Sequence, residues 1–149
     1  MRPPSRAATF AAVYTLLHAA HQAGDYLAQT DPQALRKPCA ADRDVQCTET
    51  ESWGALVGHI TSYHLIQAAA LLLANRALSL HLTPGRAAAG IAISALTHTL
   101  IDRRWPVRLW MDHTGSSGFR SRGGAPQVDQ AMHYLALAVA TATITGGPR

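Results

Sequence analysis

The chain has 149 residues, 48% of them apolar but only 6% aromatic, and a formal charge of +4. Such a length suits one domain around one core. Alanine and leucine dominate while valine, isoleucine and tyrosine are sparse, which favours helix and excludes a substantial sheet. Arginine carries almost all the positive charge, with Lys37 the single lysine. An anionic partner suits this balance, but the arginines are spread over loops and form no nucleic-acid-binding stripe.

In chain order, the first predicted helix runs from Ser5 or Ala7 to about Gln29, where Thr30-Asp31-Pro32 signals a break. Arg2 and Arg6 ahead of the apolar run to Leu17 imitate a secretory leader. Cleavage there would discard the first polar motif, so the segment is read as a retained helix and the protein as cytoplasmic or membrane-associated. Residues 36–52 read as a polar loop. Within it Cys39 and Cys47 lack Cys-x-x-Cys spacing, and a loop disulfide or two plain thiols is expected ahead of a metal role.

The second helix is expected over about Trp53 to Leu80. Ser52 to Asn75 contains no Asp, Glu, Lys or Arg over a length that could cross a bilayer. It nevertheless carries His59, His64 and Gln67, and the basic residues of the loops give only a mild orientation preference, so a soluble or membrane-associated bundle is preferred to an integral one. Thr83 and Pro84 open a third helix that runs to about Arg104, since Pro106 disfavours helical geometry at Trp105. The glycine-rich residues 110–125 read as a mobile loop, a potential lid. Pro126 opens the fourth helix, to about Thr143. The expectation is an all-α, four-helix-type bundle with a polar His/Asp centre: one domain over residues 1–149, its core about 7–145.

The chemistry lies in a small recurring motif. His21 and Asp25, His98 and Asp102, and Asp129 and His133 each stand four residues apart, on three predicted helices, so each pair shares one helix face. Chance placement would give about 0.75 such pairs by template counting. The pairs sit among Ala, Leu, Val and Ile, where a routine solvated ion pair does not belong. His18 falls on the face of Asp25 in an ideal helix. On the second helix His59 and His64 diverge by roughly 140°, so one of the two is expected at the centre, and the choice of His59 rests partly on the family resemblance given below. Nitrogen and carboxylate donors together suit a divalent transition metal such as zinc, manganese or iron. His21, Asp25, His59, His98, Asp102, Asp129 and His133 exceed the needs of one tetrahedral ion, so either two ions share the site or some aspartates support the ligands or act as a base. Burying three carboxylates without a cation would be costly, which sets a metal centre above three separate hydrogen-bonded pairs.

The segments His21-Gln-Ala-Gly-Asp25-Tyr-Leu-Ala-Gln29, His98-Thr-Leu-Ile-Asp102 and Asp129-Gln-Ala-Met-His133, with Lys37 and His59 between them, resemble the domain of unknown function 3307 family over about residues 10–140. The resemblance implies a bacterial or phage protein with a helical, often membrane-associated domain, whose members are sometimes labelled transcriptional regulators. It adds weight to Gln29 and Lys37, and the alanine- and arginine-rich composition is similar to that of actinobacteria and their phages.

The leading functional expectation is a metal-dependent hydrolase, acting on a small-molecule or anionic substrate such as a phosphoester. Here His59 is a ligand or proton carrier, and Lys37 or Arg103 steadies the substrate. The alternative is a non-enzymatic, membrane-associated protein whose cluster binds or moves a metal ion or protons. A DNA-binding regulator is the third reading, disfavoured because no recognition helix carries exposed Arg, Asn or Gln after a suitable turn.

Overall fold

A computed structural model describes residues 4–41 and 45–146, and among these the chain is helical throughout, without a strand. Helix α1 (Arg6–Gln22) starts behind Ser5, whose hydroxyl accepts from the Ala8 N–H at 3.2 Å. It continues as a π-helical stretch over Ala23–Ala28, where the wider turn shifts the phase of the helix. Thr30 and Gln33 form a capping box on the short α2 (Asp31–Arg36).

Helix α3 (Glu49–Ala77) begins four residues before the expected Trp53. The cause is local: Thr48 and Glu51 form a second capping box, with the Thr48 N–H and hydroxyl donating to Glu51 at 3.0 and 2.9 Å. These bonds hold the Glu51 carboxyl below the usual carboxylate range. The expected loop 36–52 is therefore shorter, and it is closed by a disulfide between Cys39 and Cys47.

Helix α4 (Pro84–Asp102) has Thr83 and Pro84 at its start as anticipated. Pro106 does more than limit it, because it sits in the first turn of a new helix, α5 (Trp105–His113), where its missing N–H costs nothing. With α6 (Ser117–Ser121), α5 replaces much of the expected glycine-rich loop. Met111 is wholly buried against Ile101 and Val107, which ties α5 to the bundle. Helix α7 (Ala125–Thr145) completes the chain.

The four long helices form a closed bundle: α1 packs on α3 and α7, and α4 packs on the same two. The end of α1, the first half of α3, the end of α4 and the start of α7 meet at one level, so α1 and α4 run opposite to α3 and α7. Apolar packing lies towards the other end, where Val13, Leu17, Leu71, Leu80, Leu137 and Ile144 form one cluster. Close approach of α4 to α7 depends on Gly90, where a Cβ would overlap the Ile144 side chain and press on the Ala140 carbonyl.

The bundle inverts the usual distribution of polarity. Among the described residues thirteen buried side chains are polar or charged against fourteen hydrophobic ones, whereas Val57, Leu65, Leu73, Leu96, Leu135 and Val139 point outward. Charged residues are confined to the helix ends. The uncharged runs 7–24, 52–75, 87–101 and 130–146 would extend about 27, 36, 22 and 26 Å as helix, against about 30 Å for a bilayer's hydrocarbon core. Among the described residues one helix, α3, is long and apolar enough to cross a membrane by length and composition.

Two outcomes follow. Gly90→Val should lower stability by about 1–3 kcal/mol through overpacking, read as a fall in the thermal unfolding midpoint. Because the Glu51 carboxyl titrates lower folded than unfolded, its charge contributes stability above the ordinary carboxylate range and loses it as pH falls through the folded value. The difference in midpoint between wild type and Glu51→Gln should therefore shrink to zero on acidification.

Candidate metal centre

Each of four helical segments brings one or two polar side chains to the shared level, at a stride close to four residues. On α3 the buried stripe is Ser52, Leu56, His59, Tyr63, Gln67 and Leu71; on α4 it includes Ser94, His98 and Asp102. Asp25 comes from the π-helical turn. Gly24 lets that turn lie flat on Tyr63, since any Cβ there would collide with the ring.

At the centre four atoms converge. His59 Nε2 lies 3.0 Å from His98 Nε2, 3.3 Å from Asp25 Oδ1 and 3.4 Å from Asp102 Oδ2. His98 Nε2 lies 3.6 Å from Asp25 Oδ1 and 3.0 Å from Asp102 Oδ2. Donors held tetrahedrally at about 2.0–2.1 Å from one ion stand about 3.3–3.4 Å from one another, and the His59, His98 and Asp102 atoms, 3.0–3.4 Å apart, are close to that spacing. Asp25 Oδ1 and Asp102 Oδ2 are buried and make no hydrogen bond despite the nearby imidazoles, as expected of lone pairs aimed at a common point. The site could hold a metal ion through His59, His98 and Asp102, and an overlapping group of His21, Asp25 and His98 meets the same distance condition.

Charge argues the same way. Two carboxylates lie buried here, and the nearest cation is Lys37, whose Nζ is 3.0 Å from Asp102 Oδ1. Lys37 is itself positioned from behind. Arg103 donates from Nη1 to the Lys37 carbonyl at 3.0 Å and to Ser52 Oγ at 2.8 Å, and its guanidinium stacks 4.6 Å from the Trp53 ring. Arg103 thus ties the turn after α2 to α3 and α4, and does not face the opening.

The remaining residues named from the sequence surround the cage. His133 Nδ1 bonds to the Asp129 carbonyl at 3.0 Å, with the Asp129 carboxylate 3.5 Å away, while its buried Nε2 is unpartnered and 3.8 Å from Asp102 Oδ1. Both ring nitrogens of His21 are engaged, Nδ1 with Tyr63 Oη at 2.9 Å and Nε2 with Gln130 Oε1 at 3.0 Å. Asp25 Oδ2 is 3.6 Å from His21 Nδ1. Gln29 donates to the Asp25 carbonyl. His18 lies off the centre and packs on Tyr134, with ring centroids 4.5 Å apart, because the π-helical turn breaks the α-phase that would align it with Asp25. His64 bonds to the Ile60 carbonyl and to Ser94.

Sequence reasoning missed Tyr63, Gln67, Ser94 and Gln130. Gln67 Nε2 donates to Tyr63 Oη at 3.0 Å and Ser94 Oγ donates to Gln67 Oε1 at 3.1 Å, which links α3 and α4 to His21 on α1. A signal was present, because Tyr63 and Gln67 follow His59 at intervals of four in an uncharged run.

The polar end opens into a cavity of about 380 Å³ whose inner wall includes Asp25, Asp102 and Lys37. Tyr26 stands at its rim, its phenol pushed up by partial burial and then by the Asp25 carboxylate, which keeps it a hydrogen-bond donor. Comparison with family models, curated proteins and solved structures finds no match to this chain.

Elemental analysis of the purified chain should find about one equivalent of a transition metal, lost in His98→Ala and Asp102→Asn. Tyr63→Phe should keep the ion but bind it about 10- to 100-fold more weakly, because it frees His21 from its partner.

Proposed function

We propose that the protein is a metal-dependent hydrolase built inside a lipid-facing bundle. The observation that supports it most is the convergence of His59 Nε2, His98 Nε2 and Asp102 Oδ2 within 3.0–3.4 Å of one another, with Asp25 Oδ1 3.3 Å from His59 Nε2, beside an open cavity. A divalent ion there would polarise the scissile bond and lower the pKa of a water.

His133 is suited to the proton. Its Nδ1 is occupied by Asp129, which leaves Nε2 as the accepting nitrogen, buried and aimed at Asp102. In this reading His133 takes the proton of the attacking water and returns it to the leaving group, while Asp129 fixes the ring. Lys37 offsets the charge of Asp102, and Arg103 positions Lys37. His59, expected from the sequence as a ligand or a proton carrier, serves here as a ligand.

A second reading, movement of a metal ion or protons, draws on the side-chain chain His21–Tyr63–Gln67–Ser94–His64 that runs into the bundle. Beyond it lies the apolar cluster of Val13, Leu17, Leu71, Leu137 and Ile144, with Thr9 and Thr141 buried on the same helices.

The protein should require detergent for extraction. Loaded with zinc or manganese, it should hydrolyse a chromogenic phosphoester or amide, and chelation should abolish turnover. His133→Ala should retain the metal and lose about 10²- to 10⁴-fold in kcat. Metal binding without turnover on any such substrate, combined with metal-ion or proton flux into liposomes, would replace this reading with the second.

A further inference from the structure

The two carboxylate oxygens of Asp102 face different partners. Oδ2 is turned to His59 Nε2 and His98 Nε2, at 3.4 and 3.0 Å. Oδ1 meets the Lys37 ammonium at 3.0 Å, and His133 Nε2 stands 3.8 Å from that same oxygen. His133 is held as metal-ligating histidines are held. Its Nδ1 donates to the Asp129 carbonyl at 3.0 Å, with the Asp129 carboxylate 3.5 Å away, which fixes the ring and leaves Nε2 as the lone-pair nitrogen. That Nε2 is buried and makes no hydrogen bond. A second pair of donors, Asp102 Oδ1 and His133 Nε2, is thus prepared beside the first, and the cation at its oxygen is an ammonium.

We propose that Lys37 stands in the place of a second metal ion. It keeps the centre at one ion, and in its absence Asp102 Oδ1 and His133 Nε2 take a second, with water from the cavity completing the coordination. The inference rests on the metal-centre reading of the His59, His98 and Asp102 group. A carboxylate that serves two ions gives one oxygen to each, and Asp102 has its oxygens divided in that way. Nitrogen and carboxylate donors suit the same transition metals at both positions. An ion on Oδ1 would be repelled by the ammonium already there, since like charges in a buried site are little screened. Once the ammonium is removed, the oxygen is left as a buried anion that takes the cation able to reach it. The cavity, lined by Lys37, Asp102 and Asp129, supplies the way in.

Lys37 is fixed where a mobile lysine would not serve. It is buried, its carbonyl accepts from Arg103 Nη1 at 3.0 Å and from Ser52 Oγ at 3.4 Å, and Cys39, two residues on, is tied to Cys47. The consequence falls on His133. A nitrogen kept off a metal ion can accept a proton, whereas a ligand nitrogen cannot, so Lys37 preserves the proton carrier of the proposed reaction by excluding the second ion.

The test is zinc stoichiometry, by elemental analysis of the full chain after saturation and removal of free metal. Wild type and Lys37→Arg, which keeps the charge, should each hold about one equivalent. Lys37→Leu, which keeps an apolar stem, and Lys37→Ala should each hold about two, and adding His133→Ala to either should return the count to about one. Loaded with manganese, the two neutral variants should show a spin-coupled electron paramagnetic resonance signal that the wild type lacks, a signature that no loosening of the fold produces. A single equivalent in both neutral variants at saturating zinc, or two in the wild type, overturns the proposal and leaves the metal centre standing. Loss of zinc from both neutral variants also overturns it, because Lys37 is then required by the first site. If neither the wild type nor the variants bind zinc, the metal-centre reading falls together with the proposal.

Discussion

Two aspartate carboxylates, Asp25 and Asp102, lie buried facing the imidazoles of His59 and His98, and their charge is the constraint on which the rest of the arrangement depends. An unpaired carboxylate in such a place is too costly to keep, so cations and donors must be brought to it. Lys37 supplies one charge, and the cage geometry leaves the space of one further ion. Arg103 is buried for the same reason at one remove, since it holds the turn that carries Lys37.

The outer faces follow from this inversion. With His, Asp, Gln and Ser occupying much of the interior, many large apolar side chains of the four long helices have only the outside to face. The result is an extensive apolar outer surface. The same inversion explains why small residues such as Gly24 and Gly90 govern packing: close backbone approach replaces side-chain interdigitation where polar groups must meet.

The lining of the cavity is of two kinds. The inner wall collects nitrogen and oxygen donors and the His133–Asp129 pair, and the outer wall carries Arg104 and Arg108 at a strained helix corner. Rigid helices hold the donors, and the bond between Tyr63 and His21 ties α3 to α1 across the centre. Such a site is preorganised by the bundle and needs no moving loop to assemble it.

What the sequence determined by itself was the all-helical class, the four long helices and the residues that meet, because intervals of four on uncharged helices fix which side chains share a face. A spacing of five divides His59 and His64 between faces, so one of the two was legible as a centre residue, but which one was not a matter of spacing. Helix ends were less legible: Thr48 to Glu51 and Pro106 read as loop and stop signals, but a local capping box and a proline in a first turn make both helix starts. Only the tertiary structure decided the individual roles. The π-helical turn, set by Gly24 against Tyr63, removed His18 from the centre, and the corner between α4 and α5 falls on Arg103 and Arg104, with Arg103 buried against Ser52 and the Lys37 carbonyl and Arg104 at the cavity lining. Those outcomes depend on contacts between helices, which no periodicity along one helix contains.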